Sequence, residues 1–181
     1  MITGEDVVIA DQVSIRLPEK IILGSHVAID SYFYCTTRLE IGDYVHIGPH
    51  VSVIGGEDGL LKMGHFTNLA AGCRIICRTD AFLGEGLIGT GPVMPRQYRD
   101  KSICEPVIIE DLANVGTNVV VFPGVTIAQG SVIGAGAVLK NSTRPWTVYV
   151  GSPARPIKTR SHANMLEFAG KLGYPIKLLL D

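Results

Sequence analysis

Apolar side chains recur at every sixth position over most of this chain. The recurring set runs through Leu23, Ile29, Cys35, Ile41, Ile47, Val53, Met63, Leu69, Ile75, Ile109, Val115, Val121, Ile127, Ile133 and Leu139. Four places after most of these positions stands a small or β-branched residue, such as Val27, Val45, Ala113 or Ala137. An α-helix repeats at about 3.6 residues and a strand at about 2, so neither alone explains the period. Hexapeptide repeats are typical of parallel β-helices, which are coils of short strands.

Length and charge limit the classes of protein to which the chain can belong. The 181 residues suffice for one domain with a core of its own, and the net charge of −1 argues against nucleic acid as a partner. No apolar run approaches the roughly 20 residues of a membrane span, and no secretory leader is readable. The four cysteines fit buried free thiols better than a metal site. We therefore expect a cytoplasmic protein that neither enters a membrane nor holds a metal.

The repeat is interrupted at several places. Pro18-Glu19-Lys20 is predicted to be a turn that absorbs a phase slip, and residues 55–59 are a short glycine-rich excursion. A much longer excursion occupies residues 78–105 and is rich in glycine, proline and arginine. A loop of this length in a compact domain is usually functional or disordered, and we favour function.

The repeats end near Leu139, and the chain after them has a different pattern. Residues 146–150 are predicted to be a terminal strand, and the spacing of apolar residues predicts a helix between Ser161 and Leu172. Ser161 is expected to be the N-cap, and Gly173 to end the helix. We therefore divide the chain into a β-helix, residues 1–158, and a C-terminal helical cap, residues 159–181.

Several segments resemble the hexapeptide-repeat acyltransferases. The resemblance covers roughly residues 5–158 and is carried by the following segments: Ile41-Gly42-Asp43-Tyr44-Val45-His46-Ile47-Gly48-Pro49, residues 115–127, and Ile133-Gly134-Ala135-Gly136-Ala137-Val138-Leu139 followed by Gly151-Ser152-Pro153-Ala154-Arg155. The last of these is specific to the branch that acetylates sugars and antibiotics. The resemblance implies an all-β, left-handed parallel β-helix with the long excursion and a short C-terminal helix. It further implies a homotrimer whose active sites lie between adjacent subunits.

The family also implies acetyl-CoA as co-substrate, with its pantetheine arm along the turns of late repeats. The small residues that would let the pantetheine approach are Gly116, Gly134, Ala135 and Gly136. The candidate cations for the phosphates are Lys140 and Arg155. For the glycines alone, turns of the coil are an equally good explanation, because such turns need small residues regardless of any ligand.

The chain departs from its nearest pattern at one position of chemical importance. In the maltose and galactoside acetyltransferase branch, a catalytic His opens the large excursion, but the matching position here is Asp80. A hydroxyl acceptor needs a well-matched base such as His, whereas a neutral sugar amine attacks a thioester unaided and needs only orientation or a proton acceptor. Asp80 therefore favours an amine acceptor, with Glu85 and His65 as secondary catalytic candidates.

The segment around Asp80 resembles acyltransferases of surface-polysaccharide gene clusters, some of which act on nucleotide-linked 4-amino-4,6-dideoxy sugars. That resemblance implies acetylation of such an amino-dideoxy sugar for O-antigen or another surface glycan. Arg96, Tyr98 and Arg99 are candidates to contact the nucleotide diphosphate or a neighbouring subunit.

Three alternatives stay open. One is a sugar O-acetyltransferase with a His base. Another is a zinc-binding β-helix like the γ-carbonic anhydrases, for which His46, His50 and His65 would be the available imidazoles. The last is a repeat protein without a ligand, which would leave the long excursion unexplained.

Overall fold

The computed structural model describes residues 1–88 and 94–180, and most of its strands form three parallel sheets wound as one coil. Strands are numbered in chain order. The first sheet contains β1 (Ile2–Thr3), β4 (Ile21–Leu23), β7 (Arg38–Ile41), β10 (Leu60–Met63), β15 (Val107–Ile109) and β18 (Thr126–Ile127). The second contains β2 (Val8–Ile9), β5 (Val27–Ile29), β8 (Val45–Ile47), β11 (Asn68–Leu69), β16 (Asn114–Val115), β19 (Val132–Ile133), β21 (Thr147–Val150) and β22 (Arg155–Thr159). The third contains β3 (Ser14–Ile15), β6 (Tyr34–Cys35), β9 (Ser52–Ile54), β12 (Arg74–Ile76), β17 (Val120–Val121) and β20 (Val138–Leu139).

The coil makes six complete turns and a partial seventh, and consecutive turns pair in exact register. In the third sheet, for example, Cys35 lies opposite Val53, which lies opposite Ile75. We call the bends from the first to the second sheet the first corner, those from the second to the third sheet the second corner, and those from the third back to the first the third corner. Each turn thus places equivalent residues directly above one another, which is why corner residues form stacks.

The six-residue column predicted to point inward is confirmed as the core. Every member is buried, with exposed fractions between 0% and 4%. Most residues four places further on are buried with them, including the polar Thr67 and Ser131. Because a strand alternates its faces, the strands of the coil from β4 onward each contribute one or two side chains to the core until β21, and present their other residues outward.

The tight bends at the corners require a left-handed backbone, yet several of them are occupied by residues other than glycine. At the first corner His26, Tyr44, Phe66 and Leu112 all have positive φ. Neighbouring rings there stack, with centroids 4.4 Å apart for His26 and Tyr44 and 5.0 Å for Tyr44 and Phe66. Stacking of this kind offsets part of the strain of a left-handed backbone. The predicted turn at Pro18–Lys20 is a short 3₁₀ helix.

The C-terminal part differs in one detail from the prediction. The predicted helix is present as α1, Ala163–Lys171, but Ser161 as its N-cap is wrong. His162 occupies the N-cap position and makes no side-chain cap hydrogen bond. The helix begins late because the chain before His162 is still tied to the coil, where the Arg160 N–H donates to the Trp146 carbonyl at 2.6 Å. Ahead of the helix, β22 folds back antiparallel on β21 and covers the edge of the second sheet.

The tail after α1 returns along the first corner. The Gln129 side-chain amide donates to the Lys177 carbonyl at 2.8 Å and accepts the Leu179 N–H at 2.9 Å. Gln129 is itself buried, so this pair of bonds satisfies both ends of an amide that would otherwise be costly to bury. The tail is therefore part of the folded unit.

Candidate active site

The long excursion leaves the coil at the third corner as an antiparallel two-stranded arm. Its strands are β13, Arg78–Asp80, and β14, Ser102–Cys104, with Asp80 opposite Ser102 at the distal end. At the base, the Glu105 N–H donates to the Cys77 carbonyl at 3.1 Å, and Cys77 is buried in the core. Residues 89–93, in the middle of the predicted excursion, lie outside the described residues. The arm thus carries residue 80 away from the coil on a paired ladder.

Asp80 and Glu85 have different surroundings. Asp80 ends β13 and is half-buried. Glu85 lies further along the arm with a side chain 55% exposed, and its carboxylate pairs with the Lys101 ammonium at 2.7 Å. An exposed carboxylate that pairs with a lysine is also typical of a loop residue that only contacts solvent.

Arg96, Tyr98 and Arg99 lie together in the returning half of the arm. Arg96–Tyr98 form a single 3₁₀ turn in which Arg96 and Tyr98 are exposed. Arg99 differs, because its Nε donates to the Met94 carbonyl at 2.6 Å. Its guanidinium is therefore partly committed to the loop, whereas Arg96 and Tyr98 remain accessible.

The small residues predicted to contact the pantetheine chain of acetyl-CoA lie at the second corner. A Cβ on Gly116 would approach the Ile133 carbonyl oxygen to 2.7 Å, and one on Gly134 would approach Val150 to 2.8 Å. Gly136 has open space around it and a φ of +69°. Contact between successive turns therefore accounts for glycine at 116 and 134, while Gly136 and Ala135 leave the corner surface open.

Lys140 and Arg155 come together at the C-terminal end of the coil. Both line a cavity of about 170 Å³ with Asn141, Ser142 and Pro153. The Lys140 ammonium lies 5.6 Å from the centroid of the Phe122 ring, and the Arg155 guanidinium donates to the Ala154 carbonyl at 3.0 Å. Two cations at one cavity form a local positive field suited to phosphate.

His65 lies at the first corner and Asp80 beyond the third, so one chain does not bring them together. The His65 Nδ1 accepts the Asp43 N–H at 3.0 Å and lies 3.4 Å from the Asp43 carboxylate. In a neutral ring that accepts at Nδ1, the other nitrogen carries the proton, so no free lone pair is left for a base.

Asp43 connects this corner to the C-terminal tail. Partial burial by itself raises the pKa of Asp43, but the Ser25 N–H, the Tyr174 hydroxyl and nearby imidazoles together lower the pKa below its ordinary value. The Tyr174 ring also lies 5.0 Å from the His65 ring. The whole arrangement fixes the tail and leaves His65 in a structural setting.

His46 and His50, the other two imidazoles considered for a metal site, each have a partner within the coil. His46 pairs with Asp30 at 2.9 Å, and His50 stacks on Tyr32 at 4.7 Å. Residues 1–88 and 94–180 contain no group of three or more His, Cys, Asp or Glu side chains placed to hold a metal ion.

Desolvation raises the pKa of the buried Cys35 and Cys77 thiols to about 11 and about 12. Such thiols are poor nucleophiles near neutral pH.

Comparison with known proteins identifies the family. The chain is 30% identical over 161 residues to the dTDP-4-amino-4,6-dideoxy-D-glucose acyltransferase of Escherichia coli, covering 87% of this chain and 81% of that enzyme. The chain belongs to the hexapeptide-repeat acyltransferases. No protein-family model matches it.

Two further likenesses bear on this acyltransferase. A serine-to-cysteine variant of AntD, an N-acyltransferase from Bacillus cereus, crystallised in complex with dTDP-4-amino-4,6-dideoxyglucose and coenzyme A, superimposes with a TM-score of 0.86. The two sequences are 31% identical, and the match covers 94% of this chain and 90% of AntD. WbbJ of Escherichia coli, named a lipopolysaccharide biosynthesis O-acetyl transferase, is 28% identical over 84% of this chain and 76% of its own. The predicted left-handed parallel β-helix with a C-terminal helix is thereby confirmed.

The structure of this acyltransferase also shows residues that the sequence analysis missed. Asp100 is buried in the arm, and Gln129 and Tyr174 hold the tail. No periodic signal marks any of them, because their partners are backbone groups or residues far away in sequence. No helix in the described part of this acyltransferase is long and apolar enough to cross a bilayer.

Proposed function

We propose that this protein is an acetyl-CoA-dependent N-acetyltransferase that acts on a nucleotide-linked amino-dideoxy sugar, such as a 4-amino-4,6-dideoxyhexose. The observation that carries the proposal is Asp80, a half-buried carboxylate at the distal end of β13. The family resemblance matches this position to the catalytic His of the maltose and galactoside acetyltransferase branch. The relative named for dTDP-4-amino-4,6-dideoxy-D-glucose and the AntD complex with that sugar nucleotide and coenzyme A support the same acceptor.

The proposed reaction is a direct transfer without an acyl-enzyme. The neutral sugar amine attacks the thioester carbonyl carbon, and a C–N bond forms as the tetrahedral intermediate appears. Asp80 orients the amine and accepts one of its protons, and the C–S bond then breaks to release the coenzyme A thiolate. Glu85 and His65 are secondary candidates. Glu85 pairs with Lys101, and His65 would have to release the Asp43 N–H before its imidazole could accept a proton.

Acetyl-CoA is proposed to lie along the second corner, past Gly116, Gly134, Ala135 and Gly136, toward the C-terminal cavity. Lys140 and Arg155 would meet its phosphates, since both cations line that cavity. Arg96, Tyr98 and Arg99 are proposed to bind the sugar nucleotide, with Arg96 supplying a solvent-exposed cation. Arg guanidinium groups suit the planar, bidentate geometry of a diphosphate.

A homotrimer with sites between subunits is part of the proposal. The arm supports it, because it exposes large apolar side chains that water solvates poorly in a monomer. Phe82, Leu83, Leu87 and Tyr98 are each more than half exposed, with fractions from 56% to 65%. An apolar surface of this kind marks a contact with another macromolecule. We place the protein in the cytoplasm, in the synthesis of O-antigen or another surface glycan.

The likeness to WbbJ favours a second candidate, a sugar O-acetyltransferase with a His base.

The experiment that separates the two candidates is to incubate the purified protein and acetyl-CoA with a panel of nucleotide sugars and to measure thiol release. The expected result is rapid thiol release with dTDP-4-amino-4,6-dideoxyhexoses and an N-acetylated product by NMR. Acetylation of hydroxyl groups alone would overturn the proposal in favour of the second candidate.

A further inference from the structure

Asp100 is the only buried carboxylate among the residues that the structure describes, with an exposed fraction of 6%. Its surroundings make that burial unusual. The neighbouring parts of the arm, residues 82–85 and 95–98, are exposed. Burying an ionised carboxylate costs free energy unless the charge is met by donors, so the site must compensate it locally.

Backbone donors supply the compensation. The Asp100 Oδ2 accepts the Gly84 N–H at 3.2 Å, and the Oδ1 accepts the Lys101 N–H at 2.8 Å. The Asp100 N–H in turn donates to the Leu87 carbonyl at 3.1 Å. Beyond the β13–β14 ladder, Asp100 thereby links the outgoing and returning halves of the arm.

We call the hydrogen bonds of Asp100 to Gly84 and Lys101 the Asp100 clamp, and this clamp lies two peptide units from the candidate catalytic residue. The Lys101 N–H donates to Asp100, and the Lys101 carbonyl accepts the Ala81 N–H at 2.8 Å. Ala81 directly follows Asp80. Gly86 allows the close approach, since a Cβ there would lie 2.5 Å from the Asp100 nitrogen. The backbone that follows Asp80 is therefore linked to the carboxylate of Asp100 through Lys101.

We propose that Asp100 is a positioning residue for acyl transfer, which holds the arm in the conformation that presents Asp80 to the acceptor amine. The inference rests on the proposed function for the identity of the reaction. A carboxylate suits the task because it offers two acceptor oxygens for two backbone N–H groups. An Asn keeps one acceptor and replaces the other with a donor, which would face a backbone donor.

A double-mutant cycle tests the proposal. Asp80→Asn, Asp100→Ala and the double variant are compared with the wild type for acetylation of a dTDP-4-amino-4,6-dideoxyhexose. If Asp100 acts through Asp80, Asp100→Ala lowers kcat at least about tenfold with little change in the KM for acetyl-CoA, and the double variant is no slower than Asp80→Asn. If the two losses multiply, or if Asp100→Ala has the wild-type kcat, the proposal is wrong.

Asp100→Asn carries the test if the alanine variant fails to fold, and it should show a smaller loss of kcat in the same cycle. Asp11→Asn, an exposed acid at the far end of the coil, is the matched control and should keep the wild-type rate. Amide hydrogen exchange of Gly84 and Lys101 provides a readout independent of activity. Wild-type protein that acetylates no amino sugar refutes the proposed function, whereas unchanged exchange at both amides in the Asp100 variants refutes the clamp.

Discussion

The Tyr174 hydroxyl donates to a carboxylate oxygen of Asp43 at 2.9 Å, joining residues 131 positions apart. The bond connects the C-terminal tail to the first corner of an early turn. Tyr174 also packs its ring edge against Tyr44 and Phe66, with centroids 5.7 Å and 5.2 Å away. Together with the His65 ring, the tail is therefore held at this position by one side-chain hydrogen bond and three ring contacts.

Tyr174→Phe should weaken this attachment without changing the packing. The change removes one hydrogen bond to a charged group, so the free energy of unfolding should fall. Denaturant melts of the variant check this decrease, with Tyr32→Phe at an exposed tyrosine as the control. An equal loss in both variants would contradict a specific role for the Tyr174–Asp43 bond.

The same contact predicts how stability depends on pH. Because the pKa of Asp43 is lowered in the folded protein, its contribution is present at neutral pH and declines as the pH falls below about 4, through the folded pKa. The wild type should therefore lose more stability than Asp43→Asn over that range. Parallel loss in the two proteins would show that Asp43 does not carry this dependence.

Asp80→Asn should lower kcat/KM for the amino sugar at least about tenfold, since the amide cannot accept the proton. Glu85→Gln should cost less than about threefold, because the Glu85 side chain is exposed and its partner is Lys101. Initial rates at several acceptor concentrations measure both. A larger loss of kcat/KM in Glu85→Gln than in Asp80→Asn would assign the main role to Glu85.

Lys140→Ala and Arg155→Ala should each raise the KM for acetyl-CoA about fivefold to tenfold, with a smaller effect on kcat. The reason is the loss of one of the two cations at the C-terminal cavity. Lys171→Ala, on α1 and paired with Glu167, is the matched control. An unchanged KM in both cavity variants would place the phosphates elsewhere.

Gly116→Ala should destabilise the protein by about 1–3 kcal/mol, because the added methyl overpacks against the next turn of the coil. Gly170→Ala should have the opposite sign and stabilise α1 by about 0.5–1 kcal/mol, since nothing lies within 4 Å of the added carbon. Thermal melts of both variants in the absence of acetyl-CoA check the two signs. Full stability of Gly116→Ala would favour a ligand-based reason for that glycine.

The parts of the structure that repeat are the parts that the sequence predicts well. The inward column from Leu23 to Leu139 is visible because each position must fill the same space in successive turns. Such local, periodic constraints leave a periodic record in the sequence.

The contacts that do not repeat leave no such record. The Asp100 clamp and the tail attachment by Gln129 and Tyr174 use single contacts to backbone groups or distant residues. Ser161 failed as an N-cap for a similar reason, because the strand and the Arg160 contacts carry the chain past it before the helix begins. The long excursion and Asp80 as a candidate are thus predictable from the sequence, whereas the hydrogen bonds of Asp100 are not.

The acceptor group, amine or hydroxyl, decides the chemistry of this protein, and a matched pair of substrates distinguishes the two. Initial rates of acetyl transfer from acetyl-CoA are measured with a dTDP-4-amino-4,6-dideoxyhexose and with the analogue that has a hydroxyl at the same carbon. A carboxylate at position 80 predicts a kcat/KM at least about a hundredfold higher for the amine, because the hydroxyl lacks the base that it needs. Equal rates, or a faster reaction with the hydroxyl analogue, would contradict the account.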